Sequence, residues 1–114
     1  MNHLEQLVSE WLQFKGYFVK SCVSVGPRQR GGFEGELDVV GLHVPNQHLI
    51  HVECSLDAVS KQDRDKRFRP KFERGRKYAK GLFPGLTGPD DLDQVALLQF
   101  ATHHSGSVME MRDL

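Results

Sequence analysis

The chain has little of what usually announces a function. It has two cysteines in 114 residues, no long apolar run, no internal repeat, no low-complexity linker and no net charge. Two cysteines exclude a disulfide-dense scaffold; Cys22 and Cys54 fall on separate expected strands and are read as reduced core thiols. Without about 18 consecutive apolar residues no membrane-spanning helix is expected. The opening segment from Met1 to Lys15 is amphipathic and partly acidic, unlike a secretory signal, so a cytoplasmic setting is expected, with no membrane partner. The glycines between Gly26 and Gly35 fit no dinucleotide fingerprint, and there is no phosphate-binding P-loop or nucleophile elbow. His43, His48 and His51 lack zinc-ligand spacing, so no zinc site is expected. With 39% hydrophobic residues, what remains is a single domain over residues 1–114 with one modest core.

The zero net charge hides an uneven distribution. Residues 61–80 hold ten Lys/Arg against three Asp/Glu, a local sum of +7, whereas residues 1–60 sum to −3 and residues 81–114 to −4. A basic stretch next to acidic segments suits a protein that holds a phosphate backbone beside a cation, although a solvated helix face has the same composition.

Coarse patterning predicts an α/β unit. Asn2 and Glu5 form a capping-box pattern for a first helix that buries Leu4, Leu7, Val8, Trp11 and Leu12 and ends at Gly16. Tyr17 to Val25 reads as a strand, and the loop from Gly26 to Gly35 carries Arg28 and Arg30. Two further strands follow as a hairpin, E-G-E-L-D-V-V-G-L-H-V and H-L-I-H-V-E-C-S. Ser60 caps a basic helix that Pro70 either kinks or restarts, with Phe68, Phe72, Gly75, Ala79 and Leu82 on one face. Gln94 to Thr102 suits a central strand reached by that helical crossover, His103 and His104 fall in a polar loop, and Gly106 to Leu114 is left untyped.

Chemistry concentrates on the hairpin. Alternation places Leu37, Val39 and Gly41 on one face and Glu36, Asp38 and Val40 on the other, while Ile50, Val52 and Cys54 oppose His51, Glu53 and Ser55. A turn centred on Pro45 and Asn46 sets Asp38 opposite Glu53 and Glu36 opposite Ser55. Facing carboxylates with Cβ atoms roughly 5 Å apart repel unless one is protonated or a cation lies between them. A hard divalent ion, Mg²⁺ or Mn²⁺, resolves the conflict.

With that pair and this element order, the chain resembles the PD-(D/E)XK nucleases, the restriction-endonuclease-like superfamily. Asp38 matches the aspartate of the first catalytic strand, Glu53 the acid of the acid-x-lysine on the next, and the likeness covers nearly the whole chain. The resemblance implies a restriction-endonuclease-like mixed β-sheet flanked by helices in αβββαβ order. It also implies a nuclease that hydrolyses phosphodiester bonds of DNA, or of RNA, with Mg²⁺ or Mn²⁺. Glu5 corresponds to a leading-helix acid that can join the metal shell, and Glu36 could add a ligand or orient a water. Arg74 and Tyr78 look like the polar-x-x-x-Tyr pair that supports such sites.

One departure matters. The lysine position of the motif holds Ser55, which lacks the charge to steady an attacking water or the phosphate. The basic helix offers Lys71 and Lys77 as replacements, with Lys61 and Arg74 near the same place. Arg28, Arg30, Lys61, Arg67, Arg74 and Arg76 are the expected nucleic-acid contacts, with DNA ahead of RNA as the partner. Two other readings stand beside the enzyme: a catalytically inactive nucleic-acid-binding module of the same fold, and a homodimeric interaction domain joining acidic ends to the basic helix.

Overall fold

A computed structural model describes residues 1–57, 60–85, 91–99 and 109–112; the side chains of Lys61 and of residues 109–112 lie outside that description. Helix α1 (His3–Phe14) leads into three antiparallel strands, β1 (Phe18–Pro27), β2 (Phe33–His43) and β3 (His48–Ser55). Helix α2 (Lys61–Tyr78) and a 3₁₀ turn (Ala79–Leu82) then cross to β4 (Leu92–Leu98), which runs parallel to β3. A short β5 (Met109–Arg112) pairs antiparallel with β4, giving a mixed sheet in the order β1-β2-β3-β4-β5. The helices take opposite faces. Leu4 and Leu12 of α1 pack on Val39, Ile50, Val52, Cys54 and Val95, while Phe68 and Phe72 of α2 pack on Ala96 and Leu98.

Local chemistry accounts for these elements. Asn2 Oδ1 accepts from the Glu5 amide at 2.8 Å and the Glu5 carboxylate accepts from the Asn2 amide at 3.3 Å, a reciprocal cap that satisfies donors at the start of α1. At the start of α2 Ser60 Oγ accepts from the Asp63 amide at 3.2 Å, a one-sided cap. The hairpin register pairs Val39 with Val52 and His43 with His48, as the Pro45–Asn46 turn requires. Among the described residues no helix is long and apolar enough to cross a membrane.

Four features differ from the sequence reading. Helix α2 continues through Pro70, so no second helix begins there. Pro70 and Lys66 are both exposed, so water can serve the carbonyl left without a donor. The expected burial of Leu7 and Trp11 is not observed: they are 61% and 56% exposed. One helix about 10 Å wide covers roughly two strands spaced about 4.8 Å apart, so α1 leaves part of its sheet face open. Leu7 and Trp11 rim a groove of about 440 Å³ there, floored by Ile50, Val52, Val95 and Leu97.

The third difference is a break in alternation along β2. Leu37 joins Val25, Val40 and Leu42 on the α2 face, while Val39 packs on the α1 face. The β1–β2 register is the same on both sides of the break, Ser21 with Val39 and Val23 with Leu37, so no residue is inserted. Between those pairs Cys22 adopts φ 52°, a left-handed value rare outside glycine, and Asp38 lies opposite it at the switch. Finally, β4 spans Leu92–Leu98 and Gln99 forms a bend, while the rest of the expected strand to Thr102 and the expected loop at His103 and His104 lie outside the described residues.

Gly75 sets how closely α2 approaches the sheet. A Cβ there would stand 2.1 Å from His51 Nδ1 and 2.7 Å from Gln94 Nε2, both buried. Gly75→Ala, favourable in an isolated helix, is therefore expected to destabilise the fold by about 1–3 kcal/mol through overpacking. Thermal melting checks this, and an unchanged or raised Tm would contradict it.

Candidate active site

Asp38 and Glu53 meet where the β2–β3 ladder gives way to side-chain bonds. The Asp38 amide donates to Glu53 Oε2 at 2.8 Å, and the Cys54 amide donates to Asp38 Oδ2 at 2.9 Å. Each carboxylate thus takes a bond that a strand carbonyl would otherwise accept, which fixes both at the alternation break. Glu53 is fully buried and Asp38 partly so. Burial, and then the charge of Glu53, push the Asp38 carboxyl up to about 7, while the Lys71 ammonium pulls it down. Burial also raises the Cys54 thiol, with Asp38 adding to the effect.

The two oxygens of Glu53 have different surroundings. Oε2 accepts from the Asp38 amide and faces His51 Nε2 at 2.8 Å. Among the described residues Oε1 is buried without a hydrogen bond, and the Lys71 ammonium stands 3.8 Å from it. A buried carboxylate oxygen with no donor costs on the order of 1–3 kcal/mol. Among the described residues, Asp38 and Glu53 are the carboxylates at this point of the sheet that could contribute oxygens to a divalent cation. Among the described residues no group of three His, Cys, Asp or Glu gathers for one, so most of its coordination would fall to water and substrate oxygens, as Mg²⁺ tolerates.

Behind Glu53 lies a set of hydrogen bonds absent from the sequence reading. Gln94 Nε2 donates to the Phe72 carbonyl at 2.8 Å and stands 3.1 Å from His51 Nδ1, while Gln94 Oε1 accepts from Arg76 at 3.0 Å. With its oxygen committed to Arg76, the amide presents an N–H to Nδ1, so the His51 proton resides on Nε2 and is donated to Glu53. Alternation had put His51 on the face of Glu53. Its partner became visible only with the parallel register, which pairs His51 with Gln94.

The remaining sequence candidates divide clearly. Lys71 reaches the acid pair, its ammonium 5.6 Å from the Phe68 ring. Lys77 instead lies 3.4 Å from Glu34, which also accepts from the Tyr78 hydroxyl. Arg74 covers Gly35, where a Cβ would stand 2.3 Å from its Nε. Glu5 closes the α1 cap and receives the Cys22 thiol at 3.7 Å; it reaches Asp38 through its charge. Glu36 is exposed on β2 opposite Ser24. Ser55 Oγ accepts from the Asp57 amide at 3.2 Å, and Arg67 pairs with Asp57 at 2.7 Å. Arg28 and Arg30 are exposed on the β1–β2 turn. Lys61 opens α2.

No protein-family model, curated protein or solved structure matches this chain.

Proposed function

We propose that this chain is a divalent-metal-dependent nuclease of the restriction-endonuclease-like kind, with Lys71 on α2 taking the role of the lysine missing after Glu53. One observation carries the reading: a buried Glu53 oxygen without a hydrogen bond, beside a partly buried Asp38 and within 3.8 Å of a lysine ammonium. That is a place where a cation relieves a cost the fold otherwise bears. The chain order, helix, three-strand meander, basic helix and parallel strand, supports the same family.

Asp38 and Glu53 would hold Mg²⁺ or Mn²⁺, which supplies Lewis acidity and a more acidic water when bound. The Lys71 ammonium offsets negative charge gathering on the phosphate oxygens. Water adds to phosphorus, the bond to the leaving ester oxygen breaks, and the water proton leaves to solvent, from which the leaving oxygen is protonated. The exposed Lys66 and Arg69 on α2, with Arg28 and Arg30 on the turn, supply charge to hold the backbone, DNA being the favoured polymer.

The test is cleavage of single- and double-stranded DNA and RNA with Mn²⁺ or Mg²⁺, with chelated reactions as controls. Metal-dependent cleavage that EDTA stops is the expected result. Salt-sensitive binding of nucleic acid without cleavage under any metal would reject the enzyme and leave an inactive binding module of the same fold. Salt-dependent self-association without affinity for nucleic acid would reject both in favour of a homodimeric interaction domain.

A further inference from the structure

We infer that His51 and Gln94 are positioning residues for the Asp38–Glu53 centre: together they hold the Glu53 carboxylate so that Oε1 is the oxygen offered to a divalent cation. The inference takes the identity of the ligand from the nuclease reading.

A carboxylate buried among apolar side chains could rotate about its terminal bond and exchange its oxygens. This one is held in a single plane, because two donors at 2.8 Å, the Asp38 amide and His51 Nε2, converge on one oxygen, Oε2, and aim the other away from them. The imidazole is fixed in turn. Phe72 meets it edge-on with ring centroids 5.7 Å apart, Gly75 leaves no Cβ to displace it, and Gln94 sets its tautomer. The Gln94 amide is oriented at both ends, by Arg76 at 3.0 Å and by the Phe72 carbonyl at 2.8 Å. Every bond in the series donates inward, from Arg76 to Gln94, to His51, to Glu53, so each donor is polarised by the one behind it.

A network serving the fold alone ordinarily satisfies the buried polar atoms it contains. This one satisfies one Glu53 oxygen twice and, among the described residues, leaves the other with no hydrogen bond, only the Lys71 ammonium at 3.8 Å. Such asymmetry suits a ligand-holding carboxylate, whose outer hydrogen bonds typically change metal affinity by about 10–100-fold.

The experiment measures Mn²⁺ binding to the full chain, with the metal alone as probe, by calorimetry and by the electron paramagnetic resonance of free and bound Mn²⁺. His51→Leu fills the space without a donor, Gln94→Leu removes the anchor of the tautomer, and His51→Gln restores an N–H toward Glu53. Melting in EDTA establishes which variants fold. The expected result is a Kd for Mn²⁺ raised about 10–100-fold by His51→Leu, raised less by Gln94→Leu, and returned most of the way by His51→Gln. A folded His51→Leu that binds Mn²⁺ as the wild type does would overturn the inference while leaving the nuclease reading intact. So would a folded His51→Gln no better than His51→Leu. If His51→Leu does not fold, wild-type affinity in folded Gln94→Leu overturns it equally. A wild-type chain that binds no Mn²⁺ overturns both readings.

Discussion

Asp38→Asn is expected to abolish metal-dependent cleavage and, in the same protein, to raise thermal stability at pH 8 in EDTA. The two effects share a cause. Burial and the Glu53 charge lift the Asp38 carboxyl from 3.8 to about 7, so the folded chain holds this proton more tightly than the unfolded one. Between those values the folded state binds more protons, and stability falls as pH rises through the window. Asparagine removes the ionisation and keeps an oxygen for the Cys54 amide. After discounting for solvent screening at this partly exposed group, the gain is about 1–2 kcal/mol, or about 5 °C in Tm. Near pH 4, where the wild-type Asp38 is protonated, the difference should vanish. Mn²⁺ should stabilise the wild type and not the variant. Cleavage should drop by about three orders of magnitude, equivalent to about 4 kcal/mol of barrier. A Tm difference equal at pH 4 and pH 8 would refute the stability argument, and retained cleavage would refute the site.

Lys71→Met is expected to slow cleavage by about 10²–10³-fold, the range for losing one preorganised group that stabilises transition-state charge. Lys77→Met should leave the rate within about threefold, because Lys77 faces Glu34, away from the acid pair. The substitution also has a pH signature. The Lys71 ammonium favours the ionised form of Asp38, so its removal should move the alkaline-going rise of the pH–rate profile to higher pH. A uniform loss with an unmoved profile would mean that Lys71 acts only on the substrate. Equal losses at Lys71 and Lys77 would remove the distinction between them.

The hairpin was legible because a turn at Pro45–Asn46 leaves one register, and the observed pairing of Val39 with Val52 is that register. The helix caps were legible for the same reason, being local chemistry. Leu7 and Trp11 were misread because helical periodicity identifies an apolar face but says nothing about how much of the sheet one helix can cover. The alternation break at Asp38 depends on a left-handed Cys22, which no pattern rule anticipates for a cysteine inside a strand. The choice between Lys71 and Lys77 required the axial placement of α2. Six residues move a side chain about 9 Å along a helix, enough to carry Lys77 past the acids to Glu34. The Gln94–His51 contact needed the parallel register between β3 and β4, which the crossover through α2 sets and strand composition does not.

The incomplete cover that α1 gives its sheet face also governs how this protein behaves as a colloid. Formal charge is zero at pH 7, and the sequence pI is about 7.0, so long-range repulsion between molecules is weakest near neutrality. Leu7 and Trp11 stand unshielded at the rim of an apolar groove. The α1 side is accordingly expected to favour self-association, with a solubility minimum close to neutral pH, where moderate salt gives little relief to an apolar contact. A charged residue in place of Leu7 would lift that minimum from the side of the sheet opposite α2, leaving Asp38, Glu53 and Lys71 as they are.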